Sequence, residues 1–431
     1  MLHFNLVSLF PEFFDSPLHC GLMARAQQQG IISFSTYNPR DFSDNKHRHI
    51  DDRPFGGGPG MVMQIKPMAA TLRHIASPGR ILLLTPQGYP FNQDMACELA
   101  KESELTLICG RYEGIDARLA DLFPLTPVSV GDAVLNGGET AALAIIEAVA
   151  RLCPGFMGKE ASGEEESFAL GCLEYPHFSR PENFENHCVP DELLSGNHAL
   201  IAHWRRKEAL AQTLRYRPDM LATASLSQKD MAILKTLPRI QAGRNFSFCL
   251  VHSPVQIERK KEGISSLTNL DIHDIARISA SYGMGTMYVV TPLRDQLALL
   301  QNLLHHWTQG QAAKSHPDRA KALARVRAVA SIDEAIHLST VERGIRPTLI
   351  ASSASWPPKA KHTNPLVAQD LQAMLSHVPV MFLLGTAQGL AQTAIDKCDA
   401  QIRPLRFLDY NHLSVRSAAA IMADRILGDF R

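Results

Sequence analysis

Charge of either sign is in no excess in this chain. Across 431 residues, 43 Lys+Arg balance 43 Asp+Glu, so the formal net charge is zero. Taken as a total, this argues against a nucleic-acid binder, which is usually basic. Long apolar runs are absent too. No stretch of about 18 uncharged apolar residues exists, so no membrane helix is expected. The start Met1-Leu2-His3-Phe4 has no basic region followed by a small-residue cleavage site, so a secretory signal is not expected. Cysteine is sparse, eight in all, and Cys153, Cys172 and Cys188 lack the C-x-x-C spacing of a zinc site. Reduced thiols in a cytoplasmic protein are the expectation. Apolar residues are not scarce: at 45% they are too many for a disordered chain. The length predicts roughly two to four domains.

The zero total hides a partition. Residues 1–175 carry −8, residues 176–244 carry +3 and residues 245–431 carry +5. Composition shifts at the same places. Residues 158–174 (GKEASGEEESFALGCLE) read as a flexible acidic linker, and 237–245 (LPRIQAGRN) as a second joint. A third polar stretch, 309–319, reads as a long loop inside the last block.

The first block alternates strands and helices. Strands are expected at Phe4–Leu9, Ile31–Tyr37, Ile81–Thr85 and Leu105–Cys109, the last two as short apolar runs buried on both faces. Ser16-Pro17 makes a helix start and Gly30 a stop. Thr140–Leu152 is apolar nearly all round and is expected to be a buried helix. This order predicts an α/β domain with a mostly parallel sheet. The middle block predicts helices at His198–Arg215 and Ser227–Leu237, with Arg205, Arg206 and Lys207 on one face. That face is either a solvated surface or a binding surface. The last block returns to α/β. Its expected strands are Phe246–Val251, Thr286–Val290, Thr348–Ala351 and Pro379–Leu384. Its expected helices are Ile272–Ser281, Gln296–His306 and Val415–Leu427.

The first and last blocks echo one another. LTLICGRYEGIDARLAD (105–121) and VMFLLGTAQGLAQTAID (380–396) are each an apolar strand, a Gly-x-x-x-Gly loop and a helix. Downstream, 132–152 and 409–427 are each a short polar loop and an Ala-rich helix. Open α/β sheets bind ligands beyond strand C-termini, so the echo predicts a duplicated or fused fold with a cleft in each copy.

The loop DDRPFGGGPGM (51–61) matches neither a P-loop nor a dinucleotide fingerprint. It is an ordinary turn or a ligand-facing loop, the second reading being favoured by Asp51, Asp52 and Arg53. LTPQG (84–88), CGRYEG (109–114) and VGDAVLNGGE (130–139) all follow strand-like runs. As a set they predict one backbone-lined cleft able to read a flat heterocycle.

These segments, together with SLFPEFF, NPRDFSDNKHRHIDDRPFGGGPGM and LLSGNHALIAHWR, resemble the bacterial tRNA (guanine-N1)-methyltransferase family over about residues 1–237. The resemblance implies a trefoil-knotted SPOUT α/β methyltransferase domain (1–157), a flexible catalytic linker (158–175) and a helical tRNA-binding domain (176–240). It implies a homodimer acting on the guanine just 3′ of the anticodon, position 37. It places S-adenosylmethionine against Leu84, Thr85 and Pro86, against Gly110, Tyr112, Glu113 and Gly114, and against Val130, Gly131, Asp132, Ala133, Val134, Leu135, Gly137 and Gly138. Ala133 stands where the family has tyrosine, and Ala141 where it has proline. Magnesium is associated with the family, although no dedicated protein cage is seen here.

Methylating guanine N1 requires removing its proton, for which a carboxylate is a suitable base. A cation near O6 stabilises charge developing there. The resemblance assigns Glu166 as base, where the family has aspartate, and Arg151 as cation. Glu165 is an alternative base, and a merely solvated acidic run (Glu164–Glu166) is the other reading. Asp52, Arg53, His177, Arg180, Ser195, Asn197, His198, Arg205 and Arg206 are implied tRNA contacts. His47 and His49 are not expected to bind a metal.

Residues 245–431 extend beyond that family's usual chain. FLLGTAQGL and YNHLSVRSAAAI resemble another SPOUT branch, that of RNA 2′-O-methyltransferase-like domains. The expectation is a second knot-like α/β domain. Leu384, Gly385, Gly389, Leu408 and Leu413 would hold S-adenosylmethionine there. Asn411, Ser414 and Arg416 are reaction candidates, and Ala387 and Gln388 stand where the branch often has an acid. A silent domain that docks RNA or aids dimerisation is equally compatible. For the whole chain, an RNA-binding or S-adenosylmethionine-sensing protein without turnover is the reading from a different class. Activity of the last domain alone, on another RNA, is a third.

Overall fold

The computed structural model describes residues 1–157, 166–168, 171–237, 242–258, 261–354 and 365–429. Its internal contacts divide the chain into two compact units, Met1–Pro181 and Glu182–Arg431.

The first unit is built on five parallel strands: β1 (Leu2–Val7), β2 (Ile32–Tyr37), β3 (Arg80–Pro90), β4 (Glu104–Cys109) and β5 (Leu125–Ser129). Their order across the sheet is β2-β1-β4-β3-β5. Successive side chains of a strand point to opposite faces, and β4 shows the result. Leu105, Leu107 and Cys109 join one core with Ile145, Ile146 and Val149. Ile108 joins a second core with Met68, Ala69 and Leu72. Four helices cover the sheet: α1 (Gly21–Gln28), α2 (Ile65–His74), α3 (Gln93–Leu99) and α4 (Glu139–Ala150). As its composition predicts, α4 is buried on most sides.

The second unit opens with a small hairpin, Asn183–Phe184 against His187–Cys188, and the helices α5 (His198–Tyr216) and α6 (Gln228–Thr236). Its sheet has six strands: β6 (Phe246–Val251), β7 (Met287–Val290), β8 (Val326–Val329), β9 (Thr348–Ala351), β10 (Val380–Gly385) and β11 (Ala400–Gln401). The pairings are again parallel, in the order β8-β7-β6-β10-β9-β11. Covering helices include α7 (Asn269–Ser281), α8 (Arg294–Thr308), α9 (Pro317–Leu323), α10 (Ile332–Arg343), α11 (Ala368–Leu375) and α12 (Val415–Leu427).

The echo in the sequence is a repeat in topology. With the edge strand β8 set aside, the second sheet reads β7-β6-β10-β9-β11, the chain-order permutation of the first. The loops after β4 and β10 also share a backbone path. Tyr112 and Ala387 adopt φ of +58° and +52°, and Gly114 and Gly389 adopt +130° and +103°. A positive φ costs a non-glycine residue energy, so its recurrence at matched positions marks a shared loop design.

Several expectations need correcting. Ser16 is not a helix cap, because the chain already coils at Pro11–Phe14 and Asp15–Leu18, and α1 then starts at Gly21 after an extended Cys20. The first strand spans Leu2–Val7 rather than Phe4–Leu9. The stretch 309–319 is not a loop. It forms Gln311–Ser315 and the start of α9, where Pro317 sits at a first helical position that needs no N–H. Gly30 does end the α1 region at φ +67°. Of the acidic linker, Glu164 and Glu165 lie outside the described residues.

Candidate functional site

Loops leave the C-terminal ends of β4 and β5, and β3 between them bulges after Leu84, at the strand ends where parallel sheets hold their ligands. Gly138 N donates to Gly110 O at 3.0 Å, and Phe91 N to Ser129 O at 2.8 Å. A Cβ built on Gly138 would stand 2.7 Å from Cys109 Cα, so only glycine lets the start of α4 approach β4 this closely. Leu84 and Gly138 are buried, Gly110, Gly114 and Gly137 half-buried. Tyr112, Glu113 and the run Val130–Leu135 are exposed, Val134 at 89%. Thr85 is half-buried and Pro86 exposed. The expected cofactor residues from Gly110 to Gly114 and from Val130 to Gly138 therefore lie on the loops after β4 and β5, while Leu84, Thr85 and Pro86 lie within β3, where its register against β5 shifts.

Beneath the loops lies a cluster that the motif reading passed over. Glu139, 1% exposed, opens α4, where a carboxylate is favoured by the helix dipole. Ser8 Oγ donates to its Oε1 at 2.7 Å. Arg111 Nη2 stands 2.9 Å from its Oε2, and Arg111 Nη1 donates to Asn136 O at 3.2 Å. The Arg111 guanidinium also lies over the Phe10 ring, 4.6 Å from its centroid. One carboxylate thus ties together the end of β1, the loop after β4 and the loop after β5. The signal was present in GRYEG and GGE but carried no spacing rule. Burial pushes the Cys109 thiol well up, the Glu139 charge adds to this, and Cys109 is no nucleophile.

Arg151 and Glu166, named above as cation and base, are in contact. Arg151 Nη2 donates to both Glu166 oxygens at 2.6 Å. The side chains are 45% and 37% exposed. A pair so accessible adds at most about 1 kcal/mol to stability. Its placement at the end of α4 calls for a chemical reason more than a structural one.

The residues expected to touch tRNA divide in two. Asp52 and Arg53 lie exposed at the mouth of the hairpin Asp51–Asp52/Val62–Met63, and Arg180 and His198 are exposed. His177 is exposed, its Nε2 2.7 Å from Glu174 Oε1. Others hold their own backbone. Asn197 Oδ1 accepts from Ala199 N and Leu200 N and caps α5, while Ser195 Oγ donates to Glu192 O. Arg206 is committed to Asp230, with Nε–Oδ1 at 2.7 Å and Nη2–Oδ2 at 3.1 Å. Arg205 is half-buried.

The Asp230 carboxyl is held far below its usual range by the Arg206 guanidinium and by Ser227, whose N–H and hydroxyl both donate to it. A depressed carboxyl pKa contributes stability that is full above the unfolded value and lost as pH falls toward the folded one. The α5–α6 contact is therefore expected to weaken below about pH 4. In Asp230→Asn, helical circular dichroism should lose that acid-dependent decline and start from a less stable baseline. An unchanged acid profile would refute the linkage.

In the second unit a cavity of about 680 Å³ sits at the matching strand ends, within the usual range for small-molecule sites. Leu384, Gly385, Gly389, Asn411, Ser414 and Arg416 all line it, as do Leu408 and Leu413. Ser414 caps α12 by accepting from Ser417 N. Arg416 Nη1 donates to Asp271 Oδ1 at 3.0 Å. Behind Thr386, another lining residue, Ser265 Oγ lies 2.5 Å from Thr386 Oγ1 and 3.1 Å from His252 Nδ1. Burial pulls the His252 pKa down to about 4, so its imidazole is neutral near pH 7. No spacing rule pointed to this buried chain.

Among the described residues no group of three His, Cys, Asp or Glu side chains gathers to hold a metal, and no helix is long and apolar enough to cross a membrane.

Two family models match the chain, the first of them extending past the boundary at Pro181 into the second unit. Residues 2–223 match the family model described as tRNA (Guanine-1)-methyltransferase TrmD, and residues 245–428 match that of SAM-dependent RNA methyltransferase. The tRNA (guanine-N(1)-)-methyltransferase of Oleidesulfovibrio alaskensis is 53% identical over 429 residues, covering 99% of this chain and 100% of its own. That of Nitratidesulfovibrio vulgaris is 52% identical over 426 residues, covering 99% of both. The protein of the same name from Pelotomaculum thermopropionicum is 46% identical over 238 residues, 54% of this chain but 95% of its own.

Proposed function

This chain belongs to the tRNA (guanine-N1)-methyltransferase family, and from that premise we propose how its own residues carry the reaction. It is a tRNA (guanine-N1)-methyltransferase that carries a second, SAM-dependent RNA methyltransferase unit. The observation that carries the reading is the Arg151–Glu166 contact at 2.6 Å. Guanine presents a hydrogen-bond donor at N1–H beside an acceptor at O6. A carboxylate beside a guanidinium presents the complementary pair. Glu166 takes the N1 proton, which exposes a lone pair on N1, while Arg151 donates to O6 and offsets the charge that gathers there. Adenine reverses the pattern, with an acceptor at N1 and a donor at the exocyclic nitrogen, and would leave both groups mismatched.

The bulge of β3 and the loops after β4 and β5 in the first unit fit S-adenosylmethionine. Their glycines bring backbone close, their apolar Val130, Val134 and Leu135 stand uncovered, and the matching place in the second unit is a cavity of ligand size. The bound cofactor supplies a methyl carbon made electrophilic by a sulfonium. Leu84, Gly110, Tyr112 and Gly138 would hold it in the first unit, and Leu384, Gly385, Gly389 and Leu413 in the second. The reading includes a trefoil-knotted SPOUT path through the crowded strand ends and a homodimer covering the exposed apolar loop. It keeps the four-part division 1–157, 158–175, 176–240 and 245–431, and a cytoplasmic location. His177 and Arg180 of the first unit and, separately, His198 and Arg205 of the second are assigned as tRNA contacts, and Glu166 as the residue that meets the guanine at position 37.

The test uses tRNA transcripts bearing guanosine or adenosine at position 37, with tritiated S-adenosylmethionine. N1 methylation blocks the pairing edge, so reverse transcription should halt beside position 37 in the guanosine transcript alone. Label without that halt would place the methyl elsewhere and overturn the reading.

A further inference from the structure

Residues 403–414 (RPLRFLDYNHLS) form a rim of the second cavity, contributing Leu405, Leu408, Asp409 and Asn411 to its lining. Tyr410 is 80% exposed and Phe407 63%. Large aromatic rings in solvent beside a cavity are the mark of an interaction surface. The rim is held in shape: Asn411 Nδ2 donates to Arg406 O at 3.1 Å and to Ala354 O at 3.0 Å. The Arg403 guanidinium lies 5.7 Å from the Phe407 ring centroid, and the Tyr410 and His412 rings are 5.6 Å apart. Two arginines, 403 and 406, stand against a single acid, Asp409, within the rim.

Rings interleaved with guanidinium groups suit a polyanion with flat faces. Bases stack on aromatic side chains with little regard to sequence, and arginines take the phosphates. We infer that the rim is a stacking platform for an unpaired RNA strand, Phe407 and Tyr410 receiving bases and Arg403 and Arg406 the backbone, so that one nucleotide reaches the cavity. The inference deepens, and rests on, the reading of residues 245–428 as an RNA methyltransferase unit. An A-form duplex keeps its bases stacked inward and cannot offer them to these rings. The substrate class is therefore single-stranded or looped RNA. A second copy of the chain would also cover the rings, but it would gain nothing from the two arginines.

The experiment is photocrosslinking of the full chain to a 12-nucleotide single-stranded RNA carrying 4-thiouridine, with affinity read by fluorescence anisotropy. Crosslinks are expected within 403–414. The double variant Phe407→Ala/Tyr410→Ala should weaken binding by about 10-fold or more, and Tyr410→Phe should restore it in the single-site comparison. Crosslinks confined elsewhere, or unchanged affinity in the double variant, would overturn the platform. So would a double variant that turns a dimer into a monomer in sedimentation while RNA affinity holds, because the rim would then be a contact between copies. Calorimetric titration separates this from the underlying reading. Crosslinks at the rim with only one S-adenosylmethionine bound per chain would refute the second cofactor site and leave the platform standing.

Discussion

Glu166→Gln is expected to lower kcat for tRNA methylation by about 100- to 10,000-fold, the usual worth of a general base, with S-adenosylmethionine affinity unchanged. The amide is nearly isosteric with the carboxylate and can still accept a hydrogen bond from Arg151, which contacts Glu166 at 2.6 Å. Folding should be untouched, since an exposed pair contributes little to stability. What the amide cannot do is take the N1 proton. The check is single-turnover methyl transfer beside calorimetric cofactor binding. Turnover near that of the parent chain would remove Glu166 from the mechanism. Glu166→Asp keeps a carboxylate, the residue type the family has there, and should retain most activity.

Glu139→Ala is expected to destabilise the first unit by about 3–5 kcal/mol, the cost of breaking a buried ion pair by removing one partner. Glu139 is 1% exposed, and its loss leaves the Ser8 hydroxyl and the Arg111 guanidinium without their shared acceptor. At about 2–4 °C per kcal/mol for a unit of this size, its thermal midpoint should fall by at least about 6 °C. Glu139→Gln keeps an acceptor for Ser8 while removing the charge, so it should lie between parent and alanine variant. A midpoint for Glu139→Ala within one degree of the parent would show that the carboxylate is not the tie described. The cofactor loops should loosen before the sheet does, because the loops after β4 and β5 both depend on Arg111.

The two predictions rest on residues that were unequally legible in the sequence. Glu166 and Arg151 were found because a resemblance named their positions and the reaction named their chemistry. Glu139 and Arg111 were not, because their pairing spans 28 residues and closes only when β4 and α4 pack. Strands buried on both faces were legible as short apolar runs, and Thr348–Ala351 and the helix Val415–Leu427 stand where they were expected. The 309–319 helices were hidden by polar residues that also favour loops. Ser195 and Asn197 carried a motif, yet their side chains are engaged with the turn and cap before α5. The order of strands was not legible either, since periodicity reports which residues are buried and not which strands are neighbours. Only the echo between the two blocks anticipated that one order would serve twice.

That shared order sets a timetable for synthesis. The central strand β6 pairs with β10, and Val380 follows Val251 by 129 residues. At a ribosomal rate of about 5–20 residues per second, the apolar segment FSFCLV emerges roughly 6–26 seconds before that partner exists. Until then one edge of β6 can be covered by β7, while the other is open to pairing with any strand nearby. The nascent second half is thus the stretch of this chain that has most to gain from a chaperone at the exit tunnel, and slower translation through residues 252–379 would lengthen the exposure.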